Sequence, residues 1–169
     1  QAGHEVVLAV TQPDKPKGRG GKVQYTPVKE KALEHGIPVF QPVKVREKSC
    51  VEELARYGAD VMVVIAFGQI LPKEILELTP CGCINVHASL LPKYRGAAPI
   101  QWSIIDGETV TGVTTMQMAE GLDTGDMILK KETPIGENET YGELHDRLAV
   151  IGAQALVETV DLLEQGKAP

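Results

Sequence analysis

An asparagine and a histidine end an otherwise apolar segment in the middle of the chain. Residues 83–87 (Cys-Ile-Asn-Val-His) predict a buried strand, in which the side chains of Asn85 and His87 point to the same face. Burying an amide and an imidazole without partners costs about 1–3 kcal/mol each. Either the pair belongs to a functional site, or both groups bond to nearby backbone at the strand end.

The segment that follows the histidine, residues 89–96, is rich in turn-forming residues but contains two adjacent leucines. Loops normally lie on the surface, so Leu90 and Leu91 either pack beneath this one or line an apolar pocket. Arg95, just before Gly96, either binds an anion or forms a salt bridge.

Two further turns could contribute polar groups. Asp123 lies between Gly121 and Gly125, where it either projects into a cleft or bonds to its own backbone. The turn at residues 66–71 could present backbone groups to a planar ligand, or simply join a strand to a helix.

Charge and cysteine content limit the class of protein. The 169 residues carry a net charge of −6, which argues against a generally basic nucleic-acid binder. Residues 12–25 nevertheless hold four basic side chains against one acidic, which predicts either a local anion site or a solvated loop. Three cysteines cannot form a disulfide scaffold, and they favour a reducing cytoplasm. No stretch is apolar for the ~20 residues that a membrane helix needs.

Motifs for metals and nucleotide phosphates do not occur. Cys81 and Cys83 near His87 lack the spacing and the fourth ligand of structural zinc, so no metal is expected. Neither the dinucleotide-binding glycine pattern nor the P-loop pattern is found.

Strands alternate with helices along the chain. Together they predict a Rossmann-like α/β fold with a mostly parallel sheet and helices on both faces, where ligands bind at the carboxyl ends of strands. Residues 11–26 are predicted to be a long loop, and capping boxes are predicted at Ser49–Glu52 and Thr140–Glu143. The predicted strands are Val6–Val10, Ile37–Phe40, Val61–Ala66 (central and covered on both faces), Cys83–His87, Val110–Met118 and Met127–Lys131. The predicted helices begin at Pro27 (capped by Thr26), near Ser49, at Pro72, at Pro99 and after Thr140. The last of them has Leu144, Leu148, Ile151, Ala155, Val160 and Leu163 on its apolar side.

Several motifs together resemble the formyltransferase-fold family that uses 10-formyltetrahydrofolate. They are Asn85-x-His87, then the run from Ser89 to Gly96, then Asp123 in a Gly-Leu-Asp-Thr-Gly turn. Residues 11–20 are similar to the loop by which the methionyl-tRNA formyltransferase branch docks the acceptor end of initiator tRNA. The resemblance implies a cytoplasmic, monomeric enzyme that formylates the amino group of methionyl initiator tRNA, with no membrane partner.

The resemblance also assigns residue roles. Asn85 and His87 would stabilise the oxyanion, while Asp123 would orient His87 and relay protons. The folate would bind against two turns and the segment after His87, namely Phe67, Gly68, Ile70, Leu71, Ser89, Leu90, Leu91, Pro92, Met118 and Ala119. Phosphates of the tRNA would meet Lys15, Lys17, Arg19 and Lys22.

The family pattern begins with a strand and a helix and ends with a carboxyl-terminal β-barrel, and we expect the given residues to include none of these three parts. Residues 1–163 are therefore predicted to be a partial catalytic domain, and residues 164–169 the start of a linker. Two alternatives remain. One is the same chemistry on another amine, such as a sugar nucleotide or a purine precursor. The other is a folate- or RNA-binding module without catalysis.

Overall fold

The computed structural model describes most of the chain: residues 4–11, 13, 15–17, 22–24, 26–45, 47–65, 71–91, 93–94, 98–119 and 125–166. For residues 15–17 and 22–24 only the backbone is described. The chain forms two compact units, unit 1 (residues 1–59 and 66–78) and unit 2 (residues 60–65 and 79–169). Among the residues described, no helix combines the length and the apolar composition that crossing a bilayer requires.

Unit 1 contains short strands and three helices. Its elements are β1 (Ala9–Val10), β2 (Lys15–Lys17), β3 (Lys22–Gln24), α1 (Pro27–Glu34), β4 (Val39–Phe40), α2 (Lys48–Ala55) and α3 (Lys73–Leu76). β1 pairs with β4 in parallel, as expected for strands joined through a helix. Both strands are shorter than the sequence predicted.

The basic segment forms an antiparallel hairpin, so the prediction of a loop over residues 11–26 is wrong for its two strands. β2 and β3 pair from Lys15–Gln24 to Lys17–Lys22. Pro16 is tolerated in β2 because a two-stranded ribbon has open edges where no N–H is required.

In unit 1 the capping residue predicted from the sequence is correct for α1 and wrong for α2. Thr26 caps α1 as predicted, since its hydroxyl accepts from the Lys29 amide at 3.2 Å. The capping box predicted at Ser49 is wrong. α2 begins at Lys48, so Ser49 is already inside the first turn, and the capping residue Glu47 makes no side-chain bond to it.

Unit 2 is built on one four-stranded sheet. Its elements are β5 (Met62–Val64), β6 (Cys83–His87), α4 (Pro99–Ile105), β7 (Val110–Gln117), β8 (Met127–Pro134) and α5 (Tyr141–Glu164). The strand order is β5-β6-β7-β8, with β5 parallel to β6 and the other two ladders antiparallel. The α/β class is confirmed, but this sheet is mixed rather than mostly parallel. The connection from β7 to β8 is too short for a helical crossover, which accounts for the second of the two antiparallel ladders.

β5 does not lie at the centre of this sheet. Within the described residues it pairs only with β6, and it covers fewer residues than predicted. Val63 is 43% exposed and Ile65 is 57% exposed, so the prediction of a strand covered on both faces is wrong. A continuous apolar run indicates burial, but it does not specify which strand will pair on each side.

α5 covers one face of the unit 2 sheet. The capping box at Thr140 and Glu143 is confirmed, and Leu144, Leu148 and Ala155 are buried against Val113 of β7. Val113 and Thr115 face α5, the latter through a 2.7 Å hydroxyl contact to Thr159. Because side chains alternate along a strand, Thr114 and its cross-strand partners face the other way.

Candidate active site

Asn85 and His87 lie on the sheet face opposite α5. They alternate with Val86, which packs against the α5 core, so both point to the other face as the sequence predicted. Asn85 is partly buried and His87 is 7% exposed. The strand therefore presents an amide and an imidazole side by side at its carboxyl end.

The imidazole of His87 is held by the backbone of the following loop. Its Nε2 lies 2.7 Å from the carbonyl oxygen of Tyr94. A carbonyl can only accept, so Nε2 carries the hydrogen of this bond. This bond fixes both the ring orientation and the tautomer.

The loop from Ser89 to Tyr94 is tightly bonded within itself. The Ser89 hydroxyl donates to the Lys93 carbonyl at 2.6 Å, and the Lys93 amide donates to the Leu90 carbonyl at 3.1 Å. Ser89 is fully buried and Leu91 is 2% exposed, so Leu91 packs beneath the loop. Leu90 is partly buried, with one methyl close to the backbone of Gly112.

Tyr94 joins this loop to the end of α4. Its φ of 56° is left-handed, which turns its carbonyl towards the imidazole. Its hydroxyl lies 2.8 Å from an Asp106 carboxylate oxygen and 3.0 Å from one of Glu108. The hydrogen bond to Asp106 is the largest of several causes, which include partial burial and the bond to Glu108, that raise the pKa of the Tyr94 hydroxyl well above its usual range, because a phenolate could no longer donate to these carboxylates.

A buried threonine connects the loop to the sheet. Thr114 of β7 lies directly opposite His87 and is fully buried. Its hydroxyl donates to the Ser89 carbonyl at 2.7 Å and accepts from the Leu91 amide at 3.1 Å. One side chain thereby satisfies two backbone groups of the loop.

Comparison with known proteins assigns this arrangement to a family. A family model described as Formyl transferase matches residues 1–160. The chain belongs to the formyl transferase family. The sequence resemblance is thus confirmed at the level of the family and of its α/β fold.

Known proteins are similar to this chain over most of its length. The methionyl-tRNA formyltransferase of Agathobacter rectalis is 62% identical over 168 residues, which is 99% of this chain and 54% of that protein. The chain therefore spans about half the length of the relatives it matches. Phosphoribosylglycinamide formyltransferase from Bacillus halodurans superposes with a TM-score of 0.77 at 26% identity, covering 94% of this chain and 80% of that one.

A third relative was solved with bound small molecules. It is the formyltransferase PseJ from Anoxybacillus kamchatkensis, in complex with UDP-4,6-dideoxy-4-formamido-L-AltNAc and tetrahydrofolate. Its TM-score is 0.68 at 23% identity, with 96% of this chain and 78% of that one covered. At that identity the likeness shows the fold alone.

The structure of the formyl transferase brings together only some of the predicted site residues. Asn85 and His87 lie beside the Ser89–Leu91 segment, and Met118 is tied to the same strand by an amide bond to the Cys83 carbonyl at 2.8 Å. Leu71 belongs to unit 1 and Ala119 is exposed. Outside the described residues lie Asp123, Phe67, Gly68, Ile70, Pro92 and Arg19, together with the side chains of Lys15, Lys17 and Lys22.

Three residues near the site escaped the sequence analysis. Thr114 and Lys130 stand in register with His87 across β7 and β8, and Gly112 leaves room for Leu90. Alternation along β7 and β8 indicates which residues share a face. It does not give the register, and only the register shows that these residues meet the loop.

Proposed function

We propose that this chain is the catalytic part of a methionyl-tRNA formyltransferase, with residues 1–163 as its folded region. The full-length protein transfers a formyl group from 10-formyltetrahydrofolate to the amino group of methionyl initiator tRNA. The observation that carries the proposal is the 62% identity to the Agathobacter rectalis enzyme over nearly the whole chain. The 26% identity to the phosphoribosylglycinamide formyltransferase is much lower, so it favours the tRNA acceptor over the alternatives.

In this proposal Asn85 and His87 act on the formyl carbonyl. When the methionyl amine attacks, the carbonyl oxygen takes up negative charge, and N–H groups of the Asn85 amide and the His87 imidazole would stabilise it. The collapse of this intermediate passes the formyl group to the amine and returns a proton to the folate nitrogen. The buried, backbone-held ring of His87 supports this role, since a fixed donor needs no reorientation during the reaction.

Asp123 is proposed to orient His87 and to carry the proton from amine to leaving group, through water. The two ends of the segment that contains Asp123 support a position near Asn85 and His87. The Gln117 amide donates to the Asp126 carbonyl at 2.8 Å, so the segment leaves and rejoins the sheet at one point. That point is the end of β7, where Met116 lies opposite Asn85. The variant Asp123→Asn keeps the shape and removes the charge. Near-normal turnover by it would end the assignment.

The folate is proposed to bind beside the loop that follows β6. Ser89, Leu90, Leu91 and Pro92 would close the pocket, and backbone groups around residues 67–71 and 118–119 would meet the pterin. Support comes from the buried, internally bonded state of Ser89 and Leu91, which gives a rigid wall. No metal is proposed for this reaction.

Contacts to tRNA phosphates are assigned to Lys15, Lys17, Arg19 and Lys22. The hairpin register places Lys17 opposite Lys22, and like charges at such a position repel each other. An anionic partner would relieve that repulsion, so the pairing supports a phosphate-binding role. Binding through these residues should weaken steeply as salt rises.

The test uses the purified full-length protein with 10-formyltetrahydrofolate and three acceptors offered separately. Methionyl initiator tRNA should be formylated, while glycinamide ribonucleotide and a UDP-linked 4-amino sugar should not. Formylation of either small amine in preference to the tRNA would replace the proposal with the corresponding alternative. Binding of tetrahydrofolate without transfer to any acceptor would favour a non-catalytic module.

The hairpin is tested by Arg19→Ala, with Lys131→Ala as the basic control in unit 2. At moderate salt Arg19→Ala should raise the KM for methionyl-tRNA and flatten its salt dependence, because one phosphate contact fewer releases fewer counterions. Lys131→Ala should leave both unchanged. Equal behaviour of the two variants would remove Arg19 from the tRNA site.

A further inference from the structure

Three residues in register form a row across the unit 2 sheet on the face of the candidate site. His87 pairs with Thr114, and Thr114 pairs with Lys130 on β8. Directly opposed residues in neighbouring strands project to the same face, so all three side chains point towards the loop after β6. Each of them bonds to backbone of that loop.

Lys130 makes an unusual contact for a lysine on an exposed part of a strand. Its ammonium lies 2.6 Å from the Leu91 carbonyl oxygen. Among the described residues no carboxylate lies within ion-pair distance of it. The neighbouring Lys131, on the opposite face, instead pairs with Glu158 of α5 at 2.9 Å.

The backbone of Leu91 is thereby held from both sides by side chains. Thr114 accepts from its amide at 3.1 Å and Lys130 donates to its carbonyl at 2.6 Å. We name this pair of bonds the Leu91 clamp. The clamp fixes the peptide groups on either side of a residue that is 2% exposed.

We propose that Lys130 is a positioning residue for the folate substrate: through the Leu91 clamp it holds the Ser89–Leu91 wall of the pocket in its binding shape. The inference rests on the proposed function, which places folate against that wall. Lys130 does not touch the reacting atoms in this account. Its loss should therefore be felt in folate binding before it is felt in the chemical step.

The test compares Lys130→Met, which keeps the aliphatic length and removes the donor, with Lys130→Arg, which keeps a charged donor. Lys131→Met, which breaks the ion pair to Glu158, is the matched control. In the full-length protein Lys130→Met should raise the KM for 10-formyltetrahydrofolate about threefold to tenfold, the range expected for one hydrogen bond of ordinary net strength at an exposed side chain. The KM for methionyl-tRNA should stay within about twofold of wild type if the wall alone is disturbed.

A merely structural role would give a different pattern. If Lys130→Met merely unfolded part of the protein, kcat and the active fraction would fall without a selective change in the KM for folate. The control Lys131→Met would then show the same fall in kcat. Arginine at position 130 should recover most of the folate affinity. An unchanged folate KM in Lys130→Met, or equal rises for both substrates, overturns the inference.

A direct binding measurement separates the two proposals. The dissociation constant of tetrahydrofolate is measured by titration for the same set of variants. If wild type fails to formylate methionyl-tRNA, the proposed function is wrong, and weaker tetrahydrofolate binding by Lys130→Met alone still supports the clamp. If wild type is active and tetrahydrofolate binds Lys130→Met as tightly as wild type, the clamp inference is wrong while the proposed function stands.

Discussion

His87 of β6 and Thr114 of β7 are direct partners across an antiparallel ladder, and both hold the loop that follows β6. His87 does so through the Tyr94 carbonyl, and Thr114 through Ser89 and Leu91. The imidazole and the loop are therefore fixed by one row of the sheet. A displacement of that row would move the proposed donor and the proposed pocket wall together.

Removing the Thr114 hydroxyl should destabilise this row. Thr114→Val keeps the shape but leaves the Ser89 carbonyl and the Leu91 amide without their buried partner, which costs about 1–3 kcal/mol of unfolding free energy. Thr114→Ser retains the hydroxyl and should lose clearly less. Urea unfolding of both variants measures the difference. Equal stability of the valine and serine variants would show that the hydroxyl bonds contribute nothing.

The proposed oxyanion donor gives a second prediction. His87→Ala in the full-length protein should lower kcat for formyl transfer about 10²- to 10³-fold, the usual cost of one such donor. His145 on α5 is the matched control, because its side chain is 52% exposed and its contacts, to Asp146 and to the ring of Tyr141, stay within α5. His145→Ala should keep wild-type kcat. A small effect of His87→Ala, in protein whose thermal unfolding shows it to be folded, would contradict the assignment.

The sequence was sufficient for elements whose signals are local. Thr26 and Thr140 mark helix starts through their own hydroxyls, and β6 was predicted at its exact bounds. The sequence was insufficient where the structure depends on which strands pair with each other. The exposure of Val63 and the hairpin at Lys15–Gln24 depend on which strands meet, and local patterns do not encode that.

The same distinction applies to the candidate site. Asn85 and His87 stand out because polar groups end an apolar strand, a signal readable from five consecutive residues. Thr114 and Lys130 look like ordinary strand residues, and their importance comes only from the register that sets them beside His87. Long-range contacts of this kind follow from tertiary packing, so composition and spacing give no sign of them.

Gly112 provides a third prediction, on packing. A Cβ at this position would lie 2.0 Å from the Lys131 carbonyl oxygen and 2.7 Å from a Leu90 methyl. Since backbone cannot yield as a side chain can, Gly112→Ala should cost more than about 2 kcal/mol of unfolding free energy. Gly142→Ala, in open space in the first turn of α5, is the control and should stabilise by about 0.5–1 kcal/mol. Thermal unfolding compares them, and a tolerated Gly112→Ala would refute the close approach.

The fourth prediction concerns the pH dependence of stability near the start of α5. Arg147 holds the Glu139 carboxylate with both of its terminal nitrogens, one of them at 2.7 Å, and the Gly136 amide adds a bond at 3.0 Å. These bonds, those from Arg147 first, favour the charged form and lower the pKa of Glu139 below its usual value. A lowered pKa in the folded state means that the unfolded chain takes up the proton first as the pH falls.

Glu139 should therefore stabilise the fold at neutral pH and lose that contribution in acid. Wild type should melt at a higher temperature than Glu139→Gln at pH 7, and the gap should close as the pH falls below the pKa of an ordinary glutamate and through the lowered pKa of folded Glu139. The neighbouring, exposed Glu137 supplies the control, since Glu137→Gln should track wild type at every pH. A gap for Glu139→Gln that stays constant from pH 7 to pH 3 would mean that shape, and not the charge held by Arg147, stabilises this corner.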